Sequence, residues 1–348
     1  MKSILYFFFA STLTAVAQQI PQKKLTKIAF GSCGHQDNPL IIFDQVVKHN
    51  PDLFIFLGDN IYGDTDDMEV LKAKYQKLGS KPTFQKLKSA MPILATWDDH
   101  DFGRNDAGRH YPHKAESKEV FLSFFEEPTL SERRNHPGIY TSYQFPIQGK
   151  TLQIILLDVR TFRDNLTLYQ PGMPKEKKYF YDLDYVPFTT TDSTLLGEEQ
   201  WTWLEKELRK PADIRIIGSG SQFSIEYNGY EAWANFPHEQ KRMLELIQKT
   251  KANGVVFLSG DVHYAEISKL NVPNAYPIYD LTSSGLSSTW HFATPNKNRI
   301  EGPVMENHFG LLTIDWSKKI PTLQTEIIDV TGNQRIEYTF PLSEIQFK

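Results

Sequence analysis

The amino-acid sequence predicts an α/β fold (α+β in some schemes) in which helices flank two packed β-sheets. Short apolar runs alternate with helical segments as far as Leu281, and strand-like segments without helices follow. Runs that are apolar at nearly every position are typical of strands covered on both faces, as in a layered sheet. With 40% hydrophobic and 23% charged residues, the 348-residue chain has a globular composition, which argues against a disordered or fibrous protein.

Six apolar runs predict the first strands, at residues 27–30, 53–57, 93–97, 152–157, 214–217 and 255–258. Five helices are predicted between these runs, at residues 39–49, 68–78, 117–125, 196–209 and 237–251. Three further strands are predicted at residues 311–314, 323–329 and 335–340. Because no helix separates these last strands, we expect them to form a second sheet packed on the first. Without an internal repeat or a linker, residues 18–348 are predicted to form a single domain.

The first residues have the three parts of a signal peptide. Lys2 supplies a positive charge, residues 4–10 form an apolar run, and Ala15-Val16-Ala17 is a small-x-small cleavage site. A buried first helix or a membrane anchor is the alternative, but the apolar run is much shorter than the ~20 residues that span a bilayer. We therefore expect cleavage near Ala17 and a mature chain that is secreted or periplasmic, without a stable membrane anchor.

Charge and cysteine content narrow the function classes. The 38 lysines and arginines against 42 aspartates and glutamates give a net charge of −4, which provides no electrostatic footprint for non-specific nucleic-acid binding. We therefore expect no nucleic-acid partner. The single cysteine, Cys33, excludes an internal disulfide framework. In the oxidising environment of an exported protein a single free thiol is reactive, so we expect Cys33 to be buried or bonded to another group.

Polar side chains follow nearly every apolar run, and ligands of open α/β sheets bind beyond the carboxyl ends of the strands. We therefore expect these side chains to converge at one edge. A buried group of this kind is costly without a cation, so the sequence predicts a metal site. The residues concerned are Cys33, Asp59, Tyr62, Asp98, Asp99, His100, Asp101, Asp158, Arg160, Gln222, Asp261 and His263.

The ligand types predict two different cations. A thiolate, a phenolate and an imidazole suit a redox-capable transition metal, Fe(III) above all. Carboxylates and amides such as Asp99, Asn105 and Gln222 suit a harder ion such as calcium, manganese or magnesium. Asp59 lies where it could bridge the two ions. Two such metals form the clamp that is used for in-line displacement at phosphorus.

Four motifs occur in order along the chain: FGSC at 30–33, GDNIYGD at 58–64, WDDHD at 97–101 with ND at 105–106, and SGDVHY at 259–264. Supporting segments are LGEEQW at 196–201 and LTSSG at 281–285. With these motifs the chain resembles the PhoD-like alkaline phosphatases, a branch of the calcineurin-like metallophosphoesterases, from about residue 28 to residue 314. The resemblance implies the calcineurin-like fold and a small phosphate-ester substrate.

The resemblance also implies roles for individual residues on the iron side. Cys33 is similar to the thiolate that replaces the first Asp-x-His motif of ordinary metallophosphoesterases, and Tyr62 to a phenolate ligand of the iron. His263 resembles the last imidazole ligand of the iron, and Asp59 the carboxylate that bridges the ions. We expect one Fe(III) ion here with one or two calcium ions beside it, although other divalent metals could replace them.

On the calcium side, Asp99 and Asp261 resemble the residues that face the second ion. His100 falls where related enzymes keep a histidine that stabilises the transition state or protonates the leaving group. For Asn105 and Gln222 the alternatives stay open. Each either binds calcium or phosphate directly, or contacts the residues that bind them.

Neighbouring charged residues allow more than one interpretation. Arg160 is predicted to clamp a phosphate bidentately, with an ion pair to Asp158 or Asp164 as the alternative. Asp98 is interpreted as a support for the ligands rather than a ligand itself. The acidic run at residues 64–67 is interpreted as a solvated loop, with a further contact to calcium as the alternative.

These observations predict a secreted metal-dependent phosphoesterase of the alkaline phosphatase D type. A metal-bound hydroxide is expected to attack phosphorus in phosphomonoesters, phosphodiesters or both. The alternatives are a secreted nuclease or phospholipase-type phosphodiesterase and, less favoured, a non-catalytic module that binds calcium or phosphate. Compared with longer relatives, we expect no N-terminal strand domain and no C-terminal helix over the site. An open cleft of this kind favours diesters slightly.

Overall fold

The computed structural model describes residues 25–173 and 184–348. The predicted signal peptide lies outside the described residues. The helices are α1 (Ile42–Lys48), α2 (Met68–Gly79), α3 (Pro82–Ala90), α4 (Asp99–Phe102), α5 (Lys114–Phe124), α6 (Gly197–Leu208) and α7 (Pro237–Thr250). Among these residues no helix is long and apolar enough to cross a membrane.

The strands in the first half of the chain are β1 (Lys27–Gly31), β2 (Leu53–Leu57), β3 (Ile93–Thr96), β4 (Thr141–Ile147), β5 (Lys150–Leu156), β6 (Thr167–Leu168) and β7 (Tyr185–Val186). The later strands are β8 (Ile214–Ser219), β9 (Val255–Ser259), β10 (Ala265–Leu270), β11 (Ile278–Ser283), β12 (Arg299–Val304), β13 (His308–Asp315), β14 (Thr322–Asp329) and β15 (Gln334–Pro341).

Two mixed sheets dominate the fold. The first has the order β15-β14-β13-β1-β2-β3, and the second has the order β12-β10-β11-β9-β8-β5-β4. Strands β1, β2 and β3 are parallel to one another, and so are β5, β8, β9 and β11. Strands β6 and β7 pair antiparallel in a separate two-stranded sheet. The predicted fold class, two sheets flanked by helices, is confirmed.

Strand β2 shows why its residues form a covered strand. Leu53, Ile55 and Leu57 belong to the core between the two sheets, whereas Phe54 and Phe56 pack on the helices of the opposite face. All five side chains are fully buried, and burial of each such side chain contributes about 1.5–3 kcal/mol. The continuous apolar run is therefore a consequence of helices on one side and a second sheet on the other.

The expectation that the last three strands build the second sheet is wrong. Strand β13 pairs antiparallel with β1, so that β13, β14 and β15 extend the first sheet. The second sheet is built instead around β5, β8 and β9. The physical reason is that β2 covers one edge of β1 only, and β13 supplies hydrogen-bond partners for the backbone groups of its other edge.

The carboxyl ends of the parallel strands of both sheets meet at one edge of the molecule. At this edge the backbone nitrogen of Ser32, after β1, donates to the carbonyl of Ser283 at the end of β11, at 3.1 Å. The nitrogen of Gly260, after β9, likewise donates to the carbonyl of Gly220, after β8, at 2.9 Å. The loops that follow β1, β2, β3, β8, β9 and β11 are thus brought together, and these loops carry most of the predicted site residues.

Candidate metal centre

Residues of the loops after β1, β2 and β9 adopt left-handed backbone conformations. Their φ angles lie between 48° and 76°, and the residues are Cys33, Asp59, Asp261 and His263. Non-glycine residues are uncommon in this region, and each costs about 1–3 kcal/mol unless the surrounding structure imposes it. Such residues cluster at functional sites. Here all four were predicted as metal ligands.

A first group of side chains converges around the thiol. The ligand atoms of Cys33, Asp59 and His263 all lie within 4.8 Å of one another. Cys33 Sγ lies 3.4 Å from Asp59 Oδ2 and 3.1 Å from the hydroxyl of Ser284. His263 Nδ1 lies 3.1 Å from the carbonyl of Ser288, which assigns its proton to Nδ1 and leaves the Nε2 lone pair for a ligand.

A second group shares one carboxylate with the first. Asp59, Asp99 and His100 also place one ligand atom each within 4.8 Å of the others. The backbone nitrogen of Asp106 donates to Asp99 Oδ2 at 2.6 Å and so fixes that carboxylate. The ring of Tyr62 lies 4.2 Å from the ring of His100, measured between centroids. Asp59 thus belongs to both groups, as a bridging ligand must.

The oxygen atoms of this centre fit metal ions better than they fit the protein alone. Within residues 25–173 and 184–348, no hydrogen-bond partner contacts the buried atoms Asp59 Oδ1, Tyr62 Oη or Asp99 Oδ1. A buried polar atom without a partner costs about 1–3 kcal/mol, and a bound cation removes that cost. The thiol, phenol and imidazole on one side of Asp59 suit a softer cation, and the carboxylates on the other side suit a harder one.

Burial controls the protonation of these ligands. It raises the pKa of Asp59 well above its usual range, and the charges of Asp99 and Asp98 raise it further. Burial, followed by the charge of Asp59, also raises the pKa of the Cys33 thiol. The pKa of Tyr62 is raised by burial and by the neighbouring Cys33. Because metals bind the deprotonated forms, we expect metal binding by these residues to release protons and to strengthen as the pH rises.

Asp64 holds His100 from the side away from the centre. Its carboxylate accepts a hydrogen bond from His100 Nδ1 at 2.8 Å and another from the backbone nitrogen of Asn105 at 3.0 Å. Burial alone lowers the pKa of His100, but the hydrogen bond to Asp64 and the charge of Asp99 outweigh it and raise this pKa to about 9. The acidic run at 64–67 is therefore more than a solvated loop, because its first residue orients a predicted catalytic side chain.

Arg160 is fully buried among carboxylates. Its Nε donates to Asp98 Oδ1 at 2.5 Å, and its Nη1 donates to Glu231 at 2.8 Å and 3.0 Å. Its Nη2 lies 3.6 Å from Asp99 Oδ1. The neighbouring Arg163 adds a second cation, 3.4 Å from Glu231. The guanidinium of Arg160 thus pairs with Asp98 and lies close to Asp99, which was predicted as a ligand.

The two aspartates that were the alternative partners of Arg160 have other roles. Asp158 accepts from the backbone nitrogen of Arg160 at 2.9 Å, and Asp164 pairs with Arg109 at 2.5 Å. The ion pair expected as the alternative to a phosphate clamp is therefore present, but with Asp98 in place of Asp158 or Asp164.

Asp261, a predicted ligand, belongs to neither of the two groups of ligand atoms. Its carbonyl oxygen is 3.6 Å from Cys33 Sγ. Burial raises the pKa of its carboxyl well above the usual range, and the charges of Asp98 and Glu231 add to this effect. The carboxyl of Asp261 is therefore close to the buried carboxylates that Arg160 contacts, which are those of Asp98, Asp99 and Glu231.

The two predicted amide residues are placed differently from each other. Gln222 is buried, and its Nε2 donates to Glu266 and to Thr282 at 3.0 Å each. Its Oε1 has no hydrogen-bond partner among the described residues. Asn105 is exposed, and its Nδ2 donates to Asp106 at 2.8 Å. The contacts of Gln222 are thus with the second sheet, whereas Asn105 lies at the solvent side of the site.

Sequence reasoning missed two residues of this site. Ser284, which contacts Cys33 Sγ, lies in the LTSSG segment at 281–285, and that motif could have indicated it. Glu231 lies in the loop between β8 and α7, where no motif or apolar pattern marks it. Its role is visible only in the structure, because its partner Arg160 is 71 positions away in the chain.

The protein has two mixed sheets, and two groups of candidate ligand atoms lie where the parallel strands of these sheets end. This architecture is that of the metallophosphoesterase-type fold. A family model described as "PhoD-like phosphatase" matches residues 28–308. The chain belongs to this family, which confirms the resemblance inferred from the motifs.

Individual relatives agree with this assignment. The chain is 24% identical to alkaline phosphatase D of Bacillus subtilis over 300 residues, which cover 75% of this chain and 49% of the relative. The chain therefore spans about half the length of that curated relative.

Solved structures show the same fold. A structure of PhoD has a TM-score of 0.62 at 17% identity and covers 90% of this chain and 72% of its own. A purple acid phosphatase, PPD1 from yellow lupin seeds, has a TM-score of 0.59 at 13% identity and covers 92% of this chain and 55% of its own.

Proposed function

We propose that the protein is a metal-dependent phosphoric ester hydrolase that acts on phosphomonoesters, phosphodiesters or both. The observation that carries the proposal is the shared position of Asp59. The carboxylate of Asp59 lies within 4.8 Å of the ligand atoms of Cys33 and His263 and also within 4.8 Å of a carboxylate oxygen of Asp99, as a two-metal centre requires. Family membership supports the same reaction class.

Four residues of the chain are proposed to hold the softer cation, which we expect to be iron: Cys33, Asp59, Tyr62 and His263. The harder cation, which we expect to be calcium, is proposed to bind to Asp59, Asp99 and Asp261, with Gln222 as a further candidate. When bound, the two metals supply an activated water and neutralise the oxygens of the phosphate group.

His100 is proposed to protonate the leaving oxygen. The hydrogen bond to Asp64 and the charge of Asp99 raise its pKa to about 9, which favours the doubly protonated ring. The Nδ1 proton is held by Asp64, so the Nε2 proton is the one that can be donated. This pairing fixes the ring and keeps the proton available at mildly alkaline pH.

Arg160 is proposed to act as a positioning residue rather than as a phosphate clamp. Its side chain is 0% exposed, and its three nitrogens face Asp98, Asp99 and Glu231. A buried cation at this place orients the calcium-side carboxylates and offsets part of their mutual repulsion. Asn105, which is exposed and follows α4, is the better candidate for a contact with substrate.

The proposed function is tested by hydrolysis of bis-p-nitrophenyl phosphate and of p-nitrophenyl phosphate. The protein is supplied with iron and calcium, and Asp59→Asn serves as the inactive control. Turnover that disappears in this variant supports the hydrolase, and the ratio of the two rates distinguishes a diesterase from a monoesterase. Metal-loaded protein without turnover on either substrate would favour a non-catalytic phosphate-binding module. Export after Ala17 stays a prediction, which N-terminal sequencing of the protein secreted by its host tests.

A further inference from the structure

One side chain of the small two-stranded sheet reaches the loop that follows α4. In this sheet Tyr185 of β7 pairs with Leu168 of β6. The hydroxyl of Tyr185 donates a hydrogen bond to Asp106 Oδ2. Because the two residues are 79 positions apart in the chain, this contact forms only when the protein folds. It joins the small sheet to a loop that contacts the metal centre.

Asp106 in turn contacts a proposed ligand of the harder cation. Its backbone nitrogen donates to Asp99 Oδ2 at 2.6 Å. The other oxygen of that carboxylate, Asp99 Oδ1, has no hydrogen-bond partner among the described residues, so a cation can satisfy it. The hydrogen bond from Asp106 therefore determines how the carboxylate is turned. Contacts of this kind orient metal ligands and raise the affinity for the metal.

The backbone at Asp106 depends on its contacts. Its φ angle is 54°, in the left-handed region, which is unfavourable for a non-glycine residue unless neighbouring groups impose it. Arg163 Nη2 donates to the carbonyl of Asp106. On the side chain, Asn105 Nδ2 donates to Oδ2 at 2.8 Å, but Asn105 belongs to the same loop. The hydroxyl of Tyr185 ties the carboxylate to a separate strand.

The small sheet is itself attached to another loop of the site. The backbone nitrogens of Asp184 and Tyr185 both donate to the carbonyl of Gly229 at 3.0 Å. Gly229 lies two positions before Glu231, which pairs with Arg160 at 2.8 Å. The backbone of Tyr185 is thus fixed to the loop that supplies a partner of Arg160. A side chain on such a fixed backbone can hold Asp106 in one position.

We propose that Tyr185 is a positioning residue for the harder cation. Its hydroxyl holds Asp106, and the backbone nitrogen of Asp106 holds the carboxylate of Asp99 in the orientation that binds the cation. The proposal rests on the proposed function, since it takes Asp99 as a ligand of a two-metal centre. It goes further because Tyr185 lies outside the sequence motifs and affects only one of the two cations.

The test measures calcium binding to iron-loaded protein by isothermal titration calorimetry. Tyr185→Phe removes one hydroxyl, and we expect it to weaken calcium binding about tenfold, as removal of a contact behind a metal ligand does. The iron content of the same samples should stay unchanged, because Cys33 and His263 belong to the other group of ligand atoms.

Tyr169→Phe is the matched control. Tyr169 directly follows β6 and is half-buried, like Tyr185. Its hydroxyl donates to the carbonyl of Met173 at 3.0 Å. The substitution therefore removes the same group from the same part of the fold without a change at Asp106. We expect Tyr169→Phe to bind calcium as tightly as the parent protein.

A further variant tests whether the hydroxyl acts through Asp106. Asp106→Gly removes the acceptor of the hydrogen bond but keeps the backbone nitrogen, and glycine adopts a positive φ without strain. In this background Tyr185→Phe should weaken calcium binding no further, because residues in direct contact act non-additively.

The possible outcomes separate this proposal from the proposed function. If Tyr185→Phe binds calcium as tightly as the parent, or weakens calcium binding equally in the Asp106→Gly background, the positioning role is overturned and the two-metal centre stands. Loss of iron together with calcium, or a higher KM for p-nitrophenyl phosphate at unchanged calcium affinity, would also overturn it. If iron-loaded parent protein binds neither calcium, manganese nor magnesium, the proposed function fails together with it.

Discussion

The buried guanidinium of Arg160 gives the most detailed prediction for stability. The change Arg160→Met keeps a long side chain but removes the only charge in contact with Asp98 Oδ1 among the described residues. It leaves Asp98 and Glu231 buried with Arg163 as the remaining cation nearby. Removal of one partner from a buried ion pair costs about 3–5 kcal/mol, and we expect a loss of this size at pH 8.

The pH dependence of this loss has a definite sign. Burial raises the pKa of Asp98 to about 7 even though Arg160 opposes this effect, so removal of Arg160 raises it further. When the pKa of a carboxyl is higher in the folded state than in the unfolded state, the free energy of unfolding falls as the pH rises from the unfolded pKa through the folded pKa. The free energy of unfolding that is lost in Arg160→Met should therefore be smaller at pH 5 than at pH 8.

Urea unfolding of chelator-treated protein measures both effects. The matched control is Arg104→Met, because Arg104 makes an exposed ion pair with Asp66 that contributes no more than about 1 kcal/mol. If Arg160→Met unfolds at the same urea concentration as the parent protein but raises KM for phosphate esters, Arg160 is a phosphate clamp and the ion-pair reasoning is refuted.

Three further predictions concern the metal centre. Asp64→Asn removes the charge that holds the His100 proton, so the pKa of His100 should fall from about 9 by about one unit or more. The alkaline limb of the pH profile of kcat should then move to lower pH. An unchanged profile would argue against His100 as the general acid. Iron-loaded protein is expected to be violet from tyrosinate charge transfer, and Tyr62→Phe should abolish the visible band; a band that persists in Tyr62→Phe excludes this phenol as a ligand. Removal of the metals by a chelator should lower the free energy of unfolding by about 2.7 kcal/mol for each metal that had been present at 100 times its Kd. Identical urea midpoints with and without chelator would contradict a metal site in the folded protein.

Elements that are covered on both faces could be predicted from the sequence. Strand β2 was predicted at 53–57 and extends over Leu53–Leu57, because the second sheet and the helices leave no polar position in it. Helix α2 was predicted at 68–78 and extends over Met68–Gly79. Its beginning is determined locally, since the Asp67 side chain accepts from the backbone nitrogens of Glu69 and Val70.

Strands with polar residues inside the fold could not be predicted in the same way. Strand β10 has the sequence AEISKL, and its Glu266 and Ser268 are both buried. Glu266 is tolerated there because Arg299 in β12 pairs with it, a contact between distant parts of the chain. The short helix α3 was missed because only Phe84 and Leu87 among its residues are buried, which is too few for a clear periodic pattern.

The same distinction applies to the site. Residues that directly follow apolar runs, such as Asp59 and Asp99, could be proposed from the sequence because the ends of parallel strands meet. The backbone turns that aim Cys33 and His263 into the site, with φ angles of 59° and 58°, carry no marker in the sequence, since neither residue is a glycine. An ion pair of Arg160 was foreseen as an alternative, but its partners Asp98 and Glu231 depend on tertiary packing and could not be predicted from the sequence.

The central claim is that the single carboxylate of Asp59 serves two metal positions. The most direct test measures metal content and phosphate-ester hydrolysis on the same samples of parent protein, Asp59→Asn and Asp44→Asn. Asp44 lies on α1, where its carboxylate pairs with Lys86 at the surface, and it provides a charge-matched control. The account predicts bound iron and a second cation in the parent and in Asp44→Asn, and loss of metal with more than about 100-fold loss of turnover in Asp59→Asn. An Asp59→Asn protein that retains both metals and full turnover would contradict it.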